Sequence, residues 1–403
     1  MTKISRSHYS LEDRVTISRY GREYGYRGAV PHLRKLLGTK ITHKSIRLHT
    51  KRYLCNIQDL PNIGRPKKLG HLDEKVCVLI KHLKSKNSVV TRNTVIGIAK
   101  AVIKRSGKSQ NLYIIGPAWA KSILNRLELI SSRCGPKNPN KPKNLNKFKK
   151  EKKTFLDNIS NKVFMENDRI PDELVFNVDQ IMIEIPDRNS NNKITLVVGI
   201  SLSGNVLPVQ VIFSEYYSPS NCISEFKFPS KWSVTYTKHG SSNLKSMSEY
   251  VNKVLSTYIK DIKIRNCISK NKNALLIVDK HTVHQTEFLG SQLKNNKIQT
   301  VFVPAGFTTL LQPIDLKNSV GSFLRSNIYH QFQDYYSKII FPALNENCFV
   351  KRNWRPNLNP AYLQIKIAQW IKNSFLQLRK KRNMIKYSWE RAHIKNVVKN
   401  HSK

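Results

Sequence analysis

Acidic residues are scarce in this sequence: its 403 residues include 26 Asp and Glu against 70 Lys and Arg, a formal net charge of +44. A globular protein with this excess repels itself unless it meets a polyanion. Nucleic acid is the leading candidate, because each neutralised phosphate releases a counterion. The excess is greatest near the start, since residues 1–150 carry 34 Lys and Arg against 7 Asp and Glu. An anionic membrane is the rival partner, but no basic amphipathic anchor or lipidation signal accompanies the charge.

Other absences exclude whole classes of protein. No stretch of 18 apolar residues occurs, and the first ten residues lack the apolar segment of a secretory signal, so we expect no membrane association. The six cysteines include no C-x-x-C pair, which disfavours a zinc finger or a disulfide framework and indicates a reducing compartment. No G-x-x-x-x-G-K-[ST] sequence is present, so no nucleotide cofactor is expected. A serine hydrolase is unsupported because no G-x-S-x-G elbow is found.

Residues 1–60 predict a small helical unit. Three short helices fit between residues 10 and 54, and a capping box of Ser10 and Asp13 opens the first of them. Two short helices joined by a Gly-containing turn indicate a helix-turn-helix DNA-binding unit. A basic helical bundle without a special purpose is the equal alternative. The basic side chains that we expect to contact DNA along the third helix are Lys44, Arg47, Lys51 and Arg52.

A basic Gly-Arg-Pro linker and a second helical unit follow. The linker, 61–70, is thin and extended, which suits a narrow minor groove, although a plain linker or part of a nuclear localisation signal fits equally well. Residues 71–135 predict a second helix-turn-helix unit, and the Pro-, Asn- and Lys-rich segment 136–150 predicts another linker. The candidate DNA contacts in these segments are Arg65, Lys67, Lys68, Lys121, Arg126 and Arg133.

From about residue 174, β-like runs alternate with helical stretches, which favours an α/β domain. Asp179 ends the run LVFNVD, Asp279 ends ALLIVD, and Asp315 ends LLQPID just before a probable helix. An acid that follows a buried strand lies at the edge where α/β sheets bind ligands. Carboxylates from separate segments suit Mg²⁺ or Mn²⁺, and two such ions can act on a phosphodiester. Each aspartate taken alone is explained as well by a turn or a helix N-cap.

The residues around these acids form an ordered series of short motifs. FNVDQ (176–180), GISLSGNVLP (199–208), LIVD (276–279), FVP (302–304) and TTLLQPID (308–315) occur in that order. Together they resemble the pogo/Tigger/jerky group of DDE-superfamily transposases, which includes centromere protein B-like proteins. The resemblance implies an α/β ribonuclease H-like catalytic domain preceded by all-α helix-turn-helix DNA-binding units. It also implies that Asp179, Asp279 and Asp315 are the catalytic and metal-binding acids, with two Mg²⁺ or Mn²⁺ ions as cofactors.

The same resemblance implies a function. Such proteins bind the terminal inverted repeats of a transposon, cut the DNA at its ends, and use the freed 3′-hydroxyl to attack target DNA at a TA dinucleotide. The expected partners are therefore double-stranded transposon ends and target DNA, bound by a homo-oligomer in the nucleus. The catalytic domain would span 151–345, and residues 346–403 would form a C-terminal helical extension.

Two departures from the family pattern leave a second function open. The segment between Asp179 and Ile194 is shorter than in relatives, and Lys280 stands where a neutral polar residue is expected. A lysine there can compete with a metal for the carboxylate or contact phosphate. Both departures favour a domesticated, catalytically inactive, sequence-specific DNA-binding protein of chromatin or centromere type, whereas the three acids favour an enzyme. A chromatin-compaction protein that uses charge alone is a third possibility. His281 and His284 are more often polar surface than functional.

Overall fold

The computed structural model describes most of the chain in two compact units, Met1–Gly70 and His71–Lys403. Their described residues are 9–38, 41–54, 67–86, 88–109, 113, 115–129, 145–164, 169–184, 193–215, 226–280, 286–345, 356, 358 and 360–399.

Three helices form the first unit: α1 (Leu11–Glu23), α2 (Gly25–Leu37) and α3 (His43–Leu54). The predicted capping box is confirmed, because the Asp13 N–H donates to Ser10 Oγ and the Ser10 N–H donates to Asp13 Oδ2. Helices α1 and α3 pack closely at Gly21, where an added Cβ would lie 2.7 Å from Ile46 Cγ2. A buried apolar core holds the three helices together, formed by Ile17, Ala29, Leu33, Ile41 and Ile46.

A six-stranded mixed sheet forms the centre of the second unit, in the order β4-β3-β2-β1-β5-β6. Strands β1 to β3 run antiparallel in sequence, while β5 and β6 lie on the other side of β1 and run parallel to it. This arrangement confirms the predicted α/β ribonuclease H-like fold class. The strands are β1 (Val175–Glu184), β2 (Lys193–Ser201), β3 (Gln210–Ser214), β4 (Ser233–Thr237), β5 (Ala274–Asp279) and β6 (Ile298–Val303).

Helices surround this sheet. One of them begins at Leu145, inside the segment 136–150 that the sequence predicts as a linker. Among the described helices, none is both long and apolar enough to cross a membrane. The helices of the unit are α4 (Leu72–Ser85), α5 (Arg92–Arg105), α6 (Pro117–Arg126), α7 (Leu145–Val163), α8 (Leu244–Glu249), α9 (Ser256–Arg265), α10 (Glu287–Asn295), α11 (Thr308–Leu311), α12 (Val320–Asn345), α13 (Pro360–Arg379), α14 (Arg382–Arg391) and α15 (Ile394–Lys399), with a π-helical turn, Tyr250–Leu255, between α8 and α9.

Strand β1 is longer than the sequence predicts. It continues past Asp179 to Glu184 and pairs with β2 along that whole stretch. Beyond Asp179 its burial alternates, with Ile181 and Ile183 inside and Met182 exposed, as in an antiparallel ribbon that has one solvated face. The expectation that Asp179 ends a strand is therefore wrong. It lies within β1, close to the level where the neighbouring strand β5 ends.

Helix α5 is fixed to the long helix α12. Gly97 allows the close approach, because a Cβ added there would lie 2.9 Å from Tyr336 Cδ1 and 3.1 Å from the Gln333 carbonyl oxygen. Lys100 Nζ pairs with Asp334 Oδ1 at 2.7 Å, and Gln333 Nε2 donates to Asn93 Oδ1 at 3.0 Å. The helices of segment 71–135 thus belong to the same compact unit as the sheet.

We expect Gly97→Ala to lower the melting temperature of the full chain. Alanine normally stabilises a helix interior by about 1 kcal/mol relative to glycine. Overpacking against Tyr336 should reverse that sign and destabilise by about 1–3 kcal/mol. Thermal unfolding followed by circular dichroism measures the effect. Gly290→Ala in α10 is the matched control, because nothing lies within 4 Å of its added Cβ, and its melting temperature should stay level or rise. A gain in both variants would contradict the close packing of α5 on α12.

Candidate active site

Two of the predicted acids stand side by side on neighbouring strands. The parallel pairing of β1 with β5 matches Val175 to Leu275 and Asn177 to Ile277, an offset of 100 residues. The same offset places Asp179 level with Asp279. Asp179 is buried, with 8% of its surface exposed, and Asp279 is half-buried at the end of β5. The register of the sheet therefore brings these two carboxylates together.

The third acid reaches the site through a turn that two buried amides hold. Asn177 Nδ2 donates to the Ile277 carbonyl at 3.0 Å, and Asn177 Oδ1 accepts from the Ile314 N–H at 3.0 Å. Gln312 Nε2 lies 3.4 Å from the Val178 carbonyl, and both amide side chains are fully buried. These contacts fix the turn that carries Asp315 to the strand that carries Asp179.

Asp179 has an unusual electrostatic setting. Burial raises its pKa well above the ordinary value, the Asp315 carboxyl beside it raises it further, and the charge of Asp279 acts in the same direction. The Gln180 N–H, which donates to Asp179 Oδ1 at 2.8 Å, opposes the shift. Asp179 Oδ2 is buried with no donor from the described residues. Two adjacent carboxylates cannot both ionise easily, which is why the neighbouring Asp315 raises the pKa of Asp179.

These carboxylates fit a divalent cation in chemistry. Asp179 and Asp315 present hard oxygen atoms from separate segments. Asp179 Oδ2 accepts no hydrogen bond from the described residues, so a cation could take the place of the missing donor. Among the described residues, however, no three His, Cys, Asp or Glu side chains already form a group that could hold a metal. The described residues do not include His281 and His284, nor residues 185–192 of the shortened segment between Asp179 and Ile194.

Sequence reasoning missed the side chains that position the acids. Gln180 accepts from the Ser242 hydroxyl through Oε1, and its Nε2 lies 3.8 Å from Met247 Sδ. Asn177 and Gln312 link three chain segments, as described above. All three residues lie inside the motifs FNVDQ and LLQPID, so the signal was present. Their roles depend on contacts between residues 62 to 137 positions apart, which a local motif does not reveal.

Comparison with known families identifies the domain. The sequence model of the "DDE superfamily endonuclease" family matches residues 191–391. This chain carries a DDE superfamily endonuclease domain. The matched region of the DDE domain contains Asp279 and Asp315, while Asp179 lies before it and is joined to it by the β1–β5 pairing.

Several solved structures of Mos1 transposase are similar to the chain at a distance. The pre-cleavage Mos1 transpososome shares 11% identity and covers 98% of this chain and 99% of that chain, with a TM-score of 0.35. The Mos1 strand transfer complex shares 11% identity over 99% of each chain, with a TM-score of 0.34. The Mos1 catalytic domain with raltegravir and Mg shares 11% identity over 64% of this chain and 98% of that chain, with a TM-score of 0.32. A search among curated proteins gives no match.

Outside the DDE domain, helix α3 presents several predicted DNA contacts on one face. Lys44, Arg47 and Lys51 are exposed and recur at helical spacing, opposite the buried Ile46 and Thr50. Lys67 and Lys68 are also exposed, in the turn before α4. Arg65, Arg133 and the side chain of Arg52 lie outside the described residues.

On helix α6, the two predicted contacts differ. Lys121 is exposed on the surface of the helix. Arg126 Nη2 pairs with the buried carboxylate of Asp73 at 2.7 Å, and this hydrogen bond is the largest cause of the raised pKa of Arg126. The guanidinium therefore ties α6 to α4. A DNA contact by Arg126 stays a prediction, and it would use a group that already neutralises an acid.

We expect Asn177→Ala to destabilise the protein and displace Asp315. The change leaves the buried Ile314 N–H without its acceptor, which costs about 1–3 kcal/mol. The melting temperature of the full chain should fall accordingly. Asn158→Ala is the control, because Asn158 is exposed on α7 and its change should have little effect. Equal melting temperatures for the two variants would show that the amide bridge does not hold the turn.

The pH dependence of stability should depend on Asp179 in metal-free buffer. A carboxyl whose pKa is raised by folding contributes stability below its unfolded pKa and loses that contribution as pH rises through the folded pKa. Asp179→Asn removes this loss, so the variant should melt at a higher temperature than the wild type at neutral pH. The difference should shrink as pH falls towards the ordinary aspartate pKa. Asp157→Asn, a change at an exposed carboxyl, is the control. A variant that is less stable throughout would contradict the raised pKa.

Proposed function

We propose that this protein is a DNA transposase of the pogo/Tigger/jerky type that binds terminal inverted repeats, cuts DNA and joins it to target DNA. The observation that supports the proposal is that Asp179 on β1 lies beside Asp315 and feels the charge of Asp279 at the end of the neighbouring strand β5. Such acids in a DDE endonuclease domain act on phosphodiester bonds. The charge of +44 suits a protein that holds several DNA segments at once.

The chemistry needs no energy source beyond the DNA itself. In cleavage, a water oxygen bonds to phosphorus while the bond from phosphorus to the 3′ oxygen breaks, which leaves a 3′-hydroxyl. In joining, that hydroxyl oxygen bonds to a target phosphorus and the target's own 3′ oxygen leaves. Each step exchanges one phosphorus–oxygen bond for another. This agrees with the absence of a nucleotide-binding motif from the sequence.

Asp179, Asp279 and Asp315 would hold two Mg²⁺ or Mn²⁺ ions. When bound, such ions stabilise the charge that develops on the attacking and leaving oxygens. The task of the protein's own residues is positioning. Asn177 and Gln312 fix the Asp315 turn, and Gln180 fixes the backbone beside Asp179. We infer further that the basic faces of α3 and α6 bind the repeats and that a homo-oligomer assembles on the DNA in the nucleus.

The acids are tested by cleavage of DNA that carries the inverted repeats flanking the protein's own gene. With Mg²⁺ or Mn²⁺, the wild-type chain should nick this DNA at the repeat ends. Asp179→Ala, Asp279→Ala and Asp315→Ala should each reduce nicking to background, because each removes a ligand carboxylate. DNA binding in the absence of metal should stay close to that of the wild type. Asp261→Ala is the control, because Asp261 lies on α9, pairs with Lys231 and is outside the acid group. Cleavage that persists in one acid variant removes that residue from the proposed site.

A second candidate function is a domesticated, catalytically inactive DNA-binding protein. The observation in its favour is that the described acids do not yet form a three-ligand group, with exposed Lys280 next to Asp279. Tight, sequence-selective binding without nicking in either metal would support this candidate over the transposase. Binding without sequence selectivity at physiological salt would instead point to chromatin compaction by charge.

A further inference from the structure

Arg325 lies beside the acid group on helix α12, ten residues after Asp315. A Cβ added at Gly321 would lie 3.6 Å from Arg325 Nη1 and 3.7 Å from Asp315 Oδ1, so both side chains reach the same point over the first turn of the helix. Gly321 itself is buried, and its N–H donates to the Ile314 carbonyl at 3.0 Å. The turn that carries Asp315 and the start of α12 therefore form one rigid corner, with the guanidinium above it.

Arg325 has no carboxylate partner within the described part of the chain, even though Asp315 is so close. Elsewhere in that part, basic side chains next to acids form ion pairs, such as Lys100 with Asp334 and Arg126 with Asp73. Arg325 is half-buried, and no ion pair with a described carboxylate offsets the solvation that its position costs. Its guanidinium can therefore receive an anion from outside, and its fork matches phosphate oxygens.

A second arginine, Arg92, lies near Tyr329, farther along α12 than Arg325. Tyr329 follows Arg325 by one helical turn, and its Oη accepts from the Glu184 N–H at 3.4 Å, at the end of β1. Burial raises the pKa of Tyr329, and the charge of Glu184 acts in the same direction. The charges of Arg325 and Arg92 oppose the rise, so both guanidinium groups and the Glu184 carboxylate lie near this phenol. Arg92 is exposed at the first residue of α5. The residue after Arg92, Asn93, accepts a hydrogen bond from Gln333 of α12. This docking of α5 on α12 brings Arg92 to the DDE domain.

We propose that Arg325, beside Asp315, and Arg92, farther along α12, form a phosphate-binding pair that holds the DNA strand entering the site. The proposal rests on the function proposed above, since it names how that site grips its substrate. It makes the site composite, because one arginine comes from the long helix of the DDE domain and the other from the N-terminal helical segment. The pair contacts the backbone and not the bases, because a guanidinium fork matches the oxygens of a phosphate group.

The test compares Arg325→Gln, Arg92→Gln and the control Lys338→Gln, which removes a charge from an exposed position farther along α12. Binding of a DNA duplex that ends at the repeat terminus is measured without metal at several salt concentrations. Each arginine variant should lower the slope of log affinity against log salt by about 0.9, the value for one lost phosphate contact, relative to Lys338→Gln. Arg325→Lys should keep the slope and cleave at least tenfold more slowly, since lysine keeps the charge and loses the fork. Melting temperatures verify that the variants are folded.

The outcomes separate this proposal from the transposase proposal. If the wild-type chain nicks no DNA but the arginine variants still lower the salt slope, the phosphate pair is supported and the transposase proposal is overturned. Acid-dependent nicking with slopes equal to that of Lys338→Gln overturns the phosphate pair and keeps the transposase. A lowered slope for Arg325→Gln alone overturns the composite site, because Arg92 would then make no contact with the strand.

Discussion

The amide of Asn177 is the contact on which the arrangement of the acids depends. One side chain accepts an N–H from the turn before α12 and donates to a carbonyl of β5, so a single residue of β1 ties together the three segments that carry Asp179, Asp279 and Asp315. A carboxylate in its place would add another buried charge, and an apolar residue would leave the turn unbound. An amide is the side chain that offers one donor and one acceptor without charge. Because the Asn177 amide is uncharged, it holds these segments together without adding a charge next to the acids.

Sequence reasoning predicted the parts of the fold that local patterns encode. The capping box at Ser10 and Asp13, the runs ending at Asp279 and the helix after Asp315 all follow from short-range chemistry, and the structure contains them. The prediction for β1 is too short, because the polar residues Asp179 and Gln180 interrupt its apolar run. Only the pairing with β2 shows that the strand continues. Strand β4 went unnoticed because it is short and only partly buried. The grouping of the three acids into one catalytic site is predicted through family resemblance and not from spacing, and it stays a prediction.

Interactions between distant segments account for what the sequence could not show. Arg126 carries the same charge whether it faces DNA or Asp73, and the 53 residues between them hide the pairing. The packing of Gly97 against Tyr336 joins helices more than 200 residues apart. The sequence does not single out Arg325, because a lone arginine in a helix is common. It gains meaning from the Asp315 carboxylate and from the absence of an ion-pair partner among the described residues.

The docking of α5 on α12 has a consequence for geometry on DNA. Helices α4 to α6 belong to the same compact unit as the sheet, so the span from Lys121 to Asp179 is set by protein packing and not by a linker. Under the proposed function, this fixed span would tie the base pairs that α6 contacts to the phosphodiester at the acids. Inserting half a turn of duplex between those positions would rotate one away from the other. Accuracy of the cut would then be a property of helix packing far from the reacting bond.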